Sequence, residues 1–195
     1  MSNRTSQKKN LIKAIQSVDE SLNHYLEFGV HEGESLLAIK EQAPANHKVY
    51  GFDSFIGLPE DWVDINKRVI AEKYHFDVKD NIPEIEGVTL FKGFFEETIP
   101  KFKKEAKPIC FLHIDCDLYS STKTVLYELN NFIVPNTIIV FDEWIYNHNI
   151  IYNDGEQKAF YEWVRKYDRE YQFLNFLPDK DSDGDVEQRT VRILK

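Results

Sequence analysis

Two apolar runs constrain this chain more than any other feature. ICFLHI spans Ile109 to Ile114 and TIIVF spans Thr137 to Phe141, with a helical pattern between them from Ser121 to Phe132. A run that is apolar at successive positions leaves no polar face for solvent. It suits a strand covered on both sides of a sheet. Two such strands joined by a helix predict a parallel pair with a crossover connection.

The rest of the chain repeats this alternation. Leu11, Ile12, Ile15, Val18 and Leu22 recur at helical spacing and predict an opening helix within residues 1–23. Strands are predicted at Tyr25–Phe28, Val49–Phe52 and Val88–Phe91, with helices through Ser35–Ile39 and from Glu96 to Lys104. A helix over about Glu156–Tyr167 precedes two strands, Tyr171–Phe176 and Thr190–Leu194, which lie too close together for a helical crossover. They predict an antiparallel hairpin. The stretch 54–87 is less regular. It opens on the turn-rich GLPEDW, predicts a helix near Val69–Tyr74, and is the expected substrate or lid region. The expected fold is α/β, one domain over residues 1–195: a Rossmann-like, doubly wound, mostly parallel sheet ending in an antiparallel hairpin.

Composition removes several function classes. The net charge is −9, and the one short basic run, Lys101 to Lys107, is broken by Phe102 and Glu105. Nucleic acid needs clustered Lys and Arg to displace counterions, so such a partner is not expected. Cys110 and Cys116 form neither a CxxC pair nor a disulfide framework, which suits a reduced, cytoplasmic setting. The first ten residues are polar and lack a signal-peptide core, and the most apolar stretch, Phe132 to Phe141, is too short to span a membrane.

In an open parallel sheet, ligands bind beyond the carboxyl ends of the strands. The first strand ends in Glu27-Phe28-Gly29-Val30-His31-Glu32-Gly33-Glu34-Ser35, a glycine-containing turn that opens a helix. Alone, it reads equally as an ordinary turn. The second strand ends in Asp53, about 20 residues beyond the loop, where a carboxylate can accept hydrogen bonds from ribose hydroxyls; a turn or cap residue is the competing reading. Together they point to a nucleoside cofactor. His31 stands where a dinucleotide loop needs its second glycine, which favours S-adenosylmethionine over NAD. The fourth strand runs into His113-Ile114-Asp115-Cys116-Asp117 and the fifth into Asp142-Glu143. Carboxylates gathered at adjacent strand ends repel one another unless a cation sits among them, and Mg²⁺ or a similar hard ion supplies it. Asp117 reads equally well as a solvated turn residue.

The loop E-x-G-x-x-x-G-x-S, the phrase GFDSFIGLP, the segment HIDCDLYSSTKTVL and the strand end FDEW together resemble the macrolide-sugar O-methyltransferases that act on macrocin and mycinamicin. The likeness runs from about Tyr25 to Trp163. Metal-dependent catechol-type O-methyltransferases are similar at greater distance. The resemblance implies a class I S-adenosylmethionine-dependent enzyme. Glu27, Gly29, His31, Gly33 and Ser35 would line the methionine end of the cofactor. Asp53 would hold the ribose, Ser54 and Phe55 would lie near the adenine, and Gly93 and Phe94 would complete that side. Asp115, Asp142 and Glu143 would bind the metal, with Glu143 where the family usually has Asp. Family members also carry a longer N-terminal lid. Without it the pocket is more open or is closed by a neighbouring subunit, which admits a homo-oligomer.

The reaction expected is methylation of a small-molecule hydroxyl, on a sugar or a sugar-bearing natural product. Asp115 is the first choice of base and Asp117 the second, ahead of His113 and His148. Specificity is expected from aromatics in 54–87 and 144–154, namely Trp62, Tyr74, Phe76, Trp144, Tyr146 and Tyr152. Three other readings share these residues: a metal-independent methyltransferase acting elsewhere, a nucleotide-binding oxidoreductase, and a non-catalytic cofactor-binding module. Asp179 to Asp185 copies half of a calcium loop, but Thr190 stands where the bidentate Glu belongs, so a polar hairpin turn is the reading adopted.

Overall fold

A computed structural model describes residues 2–19, 21–63, 67–144, 155–174 and 188–195, with side chains from residue 8 onward. The chain opens with helix α1 (Ser2–Gln16), followed by β1 (His24–Phe28), α2 (Glu34–Gln42) and β2 (Lys48–Asp53). A short ribbon, β3 (Trp62–Val63) and β4 (Val69–Ala71), precedes β5 (Val88–Lys92), α3 (Phe95–Phe102), β6 (Ile109–Ile114) and α4 (Tyr119–Glu128). Then come β7 (Ile133–Phe141), α5 (Gly155–Tyr167), β8 (Tyr171–Leu174) and β9 (Arg189–Ile193).

Seven strands form the main sheet in the order β5-β2-β1-β6-β7-β9-β8. β5, β2, β1, β6 and β7 pair in parallel, and β9 pairs antiparallel with both β7 and β8. This is the doubly wound sheet with its C-terminal hairpin. The order reverses between β1 and β6, so the crevice for a ligand opens where those two strands end.

Both faces are covered, as the apolar runs require. β6 is buried at every position. One face packs on α3, α4 and α5 through Ile99, Phe102, Val125, Leu126, Phe160 and Trp163; the other packs on α1 and α2 through Leu11, Ile15, Leu36 and Ile39. Phe28, Phe52 and Phe91 stack across β1, β2 and β5, with centroids 4.3 and 4.9 Å apart and ring planes within 9°. Each ring lies within two residues of its strand's end. The ladder therefore fixes the relative heights of three loops, those beginning at Gly29, Asp53 and Gly93.

Two expectations require correction. The stretch near Val69–Tyr74 is not a helix; its first half is β4, paired with β3. β-branched Val69 and Ile70 favour the extended form, and Tyr74, Phe76, Lys79 and Asp80 all hold positive φ, which no right-handed helix can continue through. The fifth main-sheet strand also starts at Ile133 rather than Thr137. Pro135 and Asn136, which read as an interruption, form an irregularity in the ladder, where pairing jumps from Ile109↔Ile133 to Phe111↔Ile138. Thr137 bridges the gap by donating its hydroxyl to the Ile109 carbonyl at 2.7 Å.

Candidate active site

A cavity of about 910 Å³ opens at the switch point between β1 and β6. One wall is the loop after β1. Gly29 (φ 91°) crosses directly over the end of β6, so close that a Cβ there would lie 1.6 Å from the Asp115 carbonyl oxygen. Only glycine permits this crossing. Gly33, His31 and Ser35 continue the wall into α2.

Asp53 closes the next side and holds the loop in shape. Its Oδ2 accepts the backbone N–H groups of Val30 and His31 at 2.7 and 2.8 Å, and its Oδ1 accepts that of Phe55 at 2.7 Å. The hydrogen bonds are those of the turn reading, tying two loops together, and the carboxylate also lines the cavity. Ser54 and Phe94 line the cavity as well. Three other expected cofactor residues do not. Phe55 is buried in the α1–α2 core; Gly93 donates its N–H to the Asp53 carbonyl at 2.9 Å; Glu27 is wholly buried beside His113.

The floor carries the acids. Asp115 follows β6, with its N–H on the Phe28 carbonyl at 2.9 Å, and Asp142 follows β7, with its N–H on the Ile114 carbonyl at 3.0 Å. Asp117 (φ 61°) turns back toward them. Neighbours in sequence, Asp142 and Glu143 join different groups. Asp142 meets Asp115 and His113, while Glu143 meets Asp115 and Asp117, with candidate ligand atoms within 4.8 Å of one another in each group. Asp115 is the shared vertex.

Behind the floor lie residues that motif reading missed. Glu156, at the start of α5, is wholly buried and accepts the Glu143 N–H at 3.1 Å. Gln188 donates to Asp142 Oδ1 and accepts from Asn10 of α1 at 2.9 Å. No local pattern marks Gln188. It reaches Asp142 because Phe141 pairs with Arg189 across β7 and β9, which sets the residues one step outward side by side. Tyr146, His148, Tyr152 and the turn 179–185 lie outside the described residues. Of the other aromatics expected to shape specificity, Phe76 lines the cavity beside Gly57, Leu58, Pro59 and Glu60, whereas Trp62, Tyr74 and Trp144 do not. Trp144 is packed among Phe141, Phe160 and Phe173.

Electrostatics follow from carboxylates crowded around one buried imidazole. Burial and the charge of Asp142 push Asp115 and Glu143 well above the usual carboxylate range. Glu156 is raised for the same reasons. Burial, with Asp142 and Asp53, lifts Asp117 to about 7. Burial opposes ionisation of Asp142 too, but His113 and Gln188 outweigh it and hold its pKa down. His113 is raised well above its ordinary value: burial disfavours its charge, and the Asp142 and Glu27 carboxylates overcome that. Glu143 Oε2, Glu156 Oε1 and His113 Nε2 are buried without a hydrogen-bond partner among the described residues. Orphaned acceptors among crowded acids are what a bound divalent cation would satisfy, so the donor set fits such an ion.

These shifts set a pH dependence. In the cation-free protein, the raised acids keep protons that the unfolded chain has already released. Their contribution to stability is present at low pH and is lost as pH rises, for Asp117 from the ordinary 3.8 to about 7. His113 loses its contribution in the same direction, from its ordinary 6.5 upward. Asp142, lowered, matters only at more acidic pH. The chelated protein is therefore expected to lose on the order of 5 °C in Tm between about pH 5 and about pH 8, and a divalent cation should restore it. A melting curve insensitive to pH over that range would mean the acids ionise freely.

Over residues 26–144 the chain matches the family model described as a methyltransferase domain. A comparison with curated protein sequences finds no significant match. Among solved structures, the chain is similar to CalS11, a calicheamicin methyltransferase, with TM-score 0.71 and 20% identity over 98% of this chain and 80% of that one. An apo structure of CalS11, described as a TDP-rhamnose 3'-O-methyltransferase, gives TM-score 0.62 and 18% identity over 98% and 81%. The O-methyltransferase NovP gives 0.66 and 18% over 97% and 80%. An O-methyltransferase from Bacillus cereus in complex with SAH gives 0.65 and 16% over 97% and 81%. At these identities the structural likeness speaks to fold, and it is the fold derived above. With the family match covering well over half its length, the chain belongs to the methyltransferase-domain family and has the fold of the class I S-adenosylmethionine-dependent methyltransferases.

Proposed function

We propose that this protein transfers a methyl group from S-adenosylmethionine to a hydroxyl of a small molecule, a sugar or a sugar-bearing natural product, with help from a divalent cation. One observation carries the reading: the glycine loop and the acid cluster share a wall, because Gly29 rests on the Asp115 backbone. Whatever the loop binds is thereby placed beside the carboxylates. The similar structures lend support, since NovP and the Bacillus cereus protein are O-methyltransferases and CalS11 is a TDP-rhamnose 3'-O-methyltransferase.

Residues would divide the work as follows. Gly29, His31, Gly33 and Ser35 would hold the methionine end of the cofactor, where the start of α2 offers N–H groups to a carboxylate. Asp53, Ser54 and Phe94 border the nucleoside. The sulfonium methyl is already activated, so the protein mainly aligns it with the incoming oxygen. Asp115, Asp142 and Glu143 would hold the cation, which lowers the pKa of a bound hydroxyl. Asp115, or failing it Asp117, would take the hydroxyl proton, since both carboxylates line the cavity beside the cofactor loop. Gly57 to Glu60 and Phe76 form the rim where an acceptor enters.

Calorimetry with S-adenosylhomocysteine, together with turnover of sugar-hydroxyl acceptors with and without a chelator, tests the reading. Tight binding of the cofactor product and chelator-sensitive methylation of oxygen are expected. Failure to bind it would remove the enzyme reading, and chelator-insensitive turnover would remove the cation.

A further inference from the structure

The buried pair of Glu27 and His113 has no place among the residues assigned above. Both lie side by side in the parallel register of β1 and β6, and both are essentially inaccessible to solvent. His113 Nδ1 lies 2.8 Å from Glu27 Oε1. A carboxylate partner keeps a proton on Nδ1 and leaves Nε2 to face the other way, toward the acids. That nitrogen is buried without a hydrogen-bond partner among the described residues. It stands 3.7 Å from Asp142 Oδ1, too far for a hydrogen bond.

A histidine serving only to pack the core would close both nitrogens onto partners, because a buried polar atom left unpaired costs about 1–3 kcal/mol. Two ligands each about 2.1 Å from one ion are separated by roughly 3.0–4.2 Å, and the observed gap falls in that interval. The candidate ligand atoms of His113, Asp115 and Asp142 all lie within 4.8 Å of one another. Behind them, Glu27 fixes the imidazole and Gln188 fixes Asp142. Carboxylate behind histidine behind metal is the usual build of a ligating imidazole.

We propose that His113 is itself a metal ligand, binding through Nε2 beside Asp115 and Asp142, with Glu27 as its positioning residue. The ion seated there is a first-row transition metal such as Mn²⁺, Fe²⁺ or Co²⁺ in preference to Mg²⁺, because imidazole suits those ions and Mg²⁺ favours oxygen alone. The inference rests on the cation in the proposed function and specifies its ligands and class.

Mn²⁺ added to the cofactor-free protein, followed by pulsed electron paramagnetic resonance, reads the ligands directly. Wild type is expected to show nitrogen coupling that changes on labelling histidine with ¹⁵N. The coupling should survive in His31→Gln and His148→Gln and vanish in His113→Gln. Should His113→Gln fail to fold, Glu27→Gln carries the test, with Mn²⁺ binding about 10–100-fold weaker than wild type and an unchanged circular dichroism spectrum. Mn²⁺ bound without histidine coupling, or coupling that persists in His113→Gln, overturns the proposal and leaves an all-oxygen cation in place. If Mn²⁺ does not bind at all, the cation of the proposed function falls with it.

Discussion

Asp115→Asn is expected to lower the rate of methyl transfer by about 10²–10⁴-fold while leaving affinity for S-adenosylhomocysteine within about threefold of wild type. The substitution preserves shape. The backbone N–H that bonds the Phe28 carbonyl and the carbonyl that supports Gly29 both remain, so the cofactor wall is undisturbed. What disappears is the charge at the vertex shared by both acid groups, and with it the first-choice base and one cation ligand. The same loss relieves the floor, where Asp115 and its neighbours raise one another's pKa values. The cation-free variant should therefore melt higher than wild type even though it turns over far more slowly, the trade expected where a site is built at the expense of stability. Turnover, calorimetry and melting curves in chelator give the three readings. Unchanged turnover would exclude Asp115 as base, and cofactor affinity falling in step with rate would assign it a merely structural role.

Where the chemistry is local, the sequence revealed it. The apolar runs of β6 and β7 end at Asp115 and Asp142, so strand ends and acids were visible together, and the sheet topology followed from alternation. Side-chain direction at the strand ends was not visible. Phe55 and Glu27 occupy positions adjacent to the cavity in sequence, but Phe55 adopts φ 58° and turns into the core, and Glu27 points down onto His113. Such choices depend on which neighbour needs the side chain more, and that neighbour is on another strand. Gln188 and Glu156 were missed for the same reason, being brought to the site by the β7–β9 register and by the start of α5. The helix expected near Val69–Tyr74 fails because Val69 and Ile70 fit either period over so short a span, and only the left-handed residues after them decide against a helix.

The largest loss of stability is expected from Gly29→Ala. A methyl group there would sit 1.6 Å from the Asp115 carbonyl oxygen and 2.6 Å from its carbon, and both atoms belong to the backbone of the central strand end. Neither can rotate away, so β1 and β6 must part or the loop must refold, and φ 91° adds strain for any residue with a Cβ. The cost should exceed about 4 kcal/mol, a fall in Tm of roughly 8–16 °C for a domain of this size, with S-adenosylhomocysteine binding lost as well. Gly87→Ala is the matched control. It has a comparable φ of 73°, yet its Cβ meets only the flexible end of the Lys40 side chain. Its penalty should stay near the backbone strain alone, about 1–2 kcal/mol, with cofactor binding intact. If the two variants melt alike, the left-handed conformation and not the contact sets the cost, and the wall shared by the glycine loop and the acids is looser than the close approach of Gly29 to Asp115 implies.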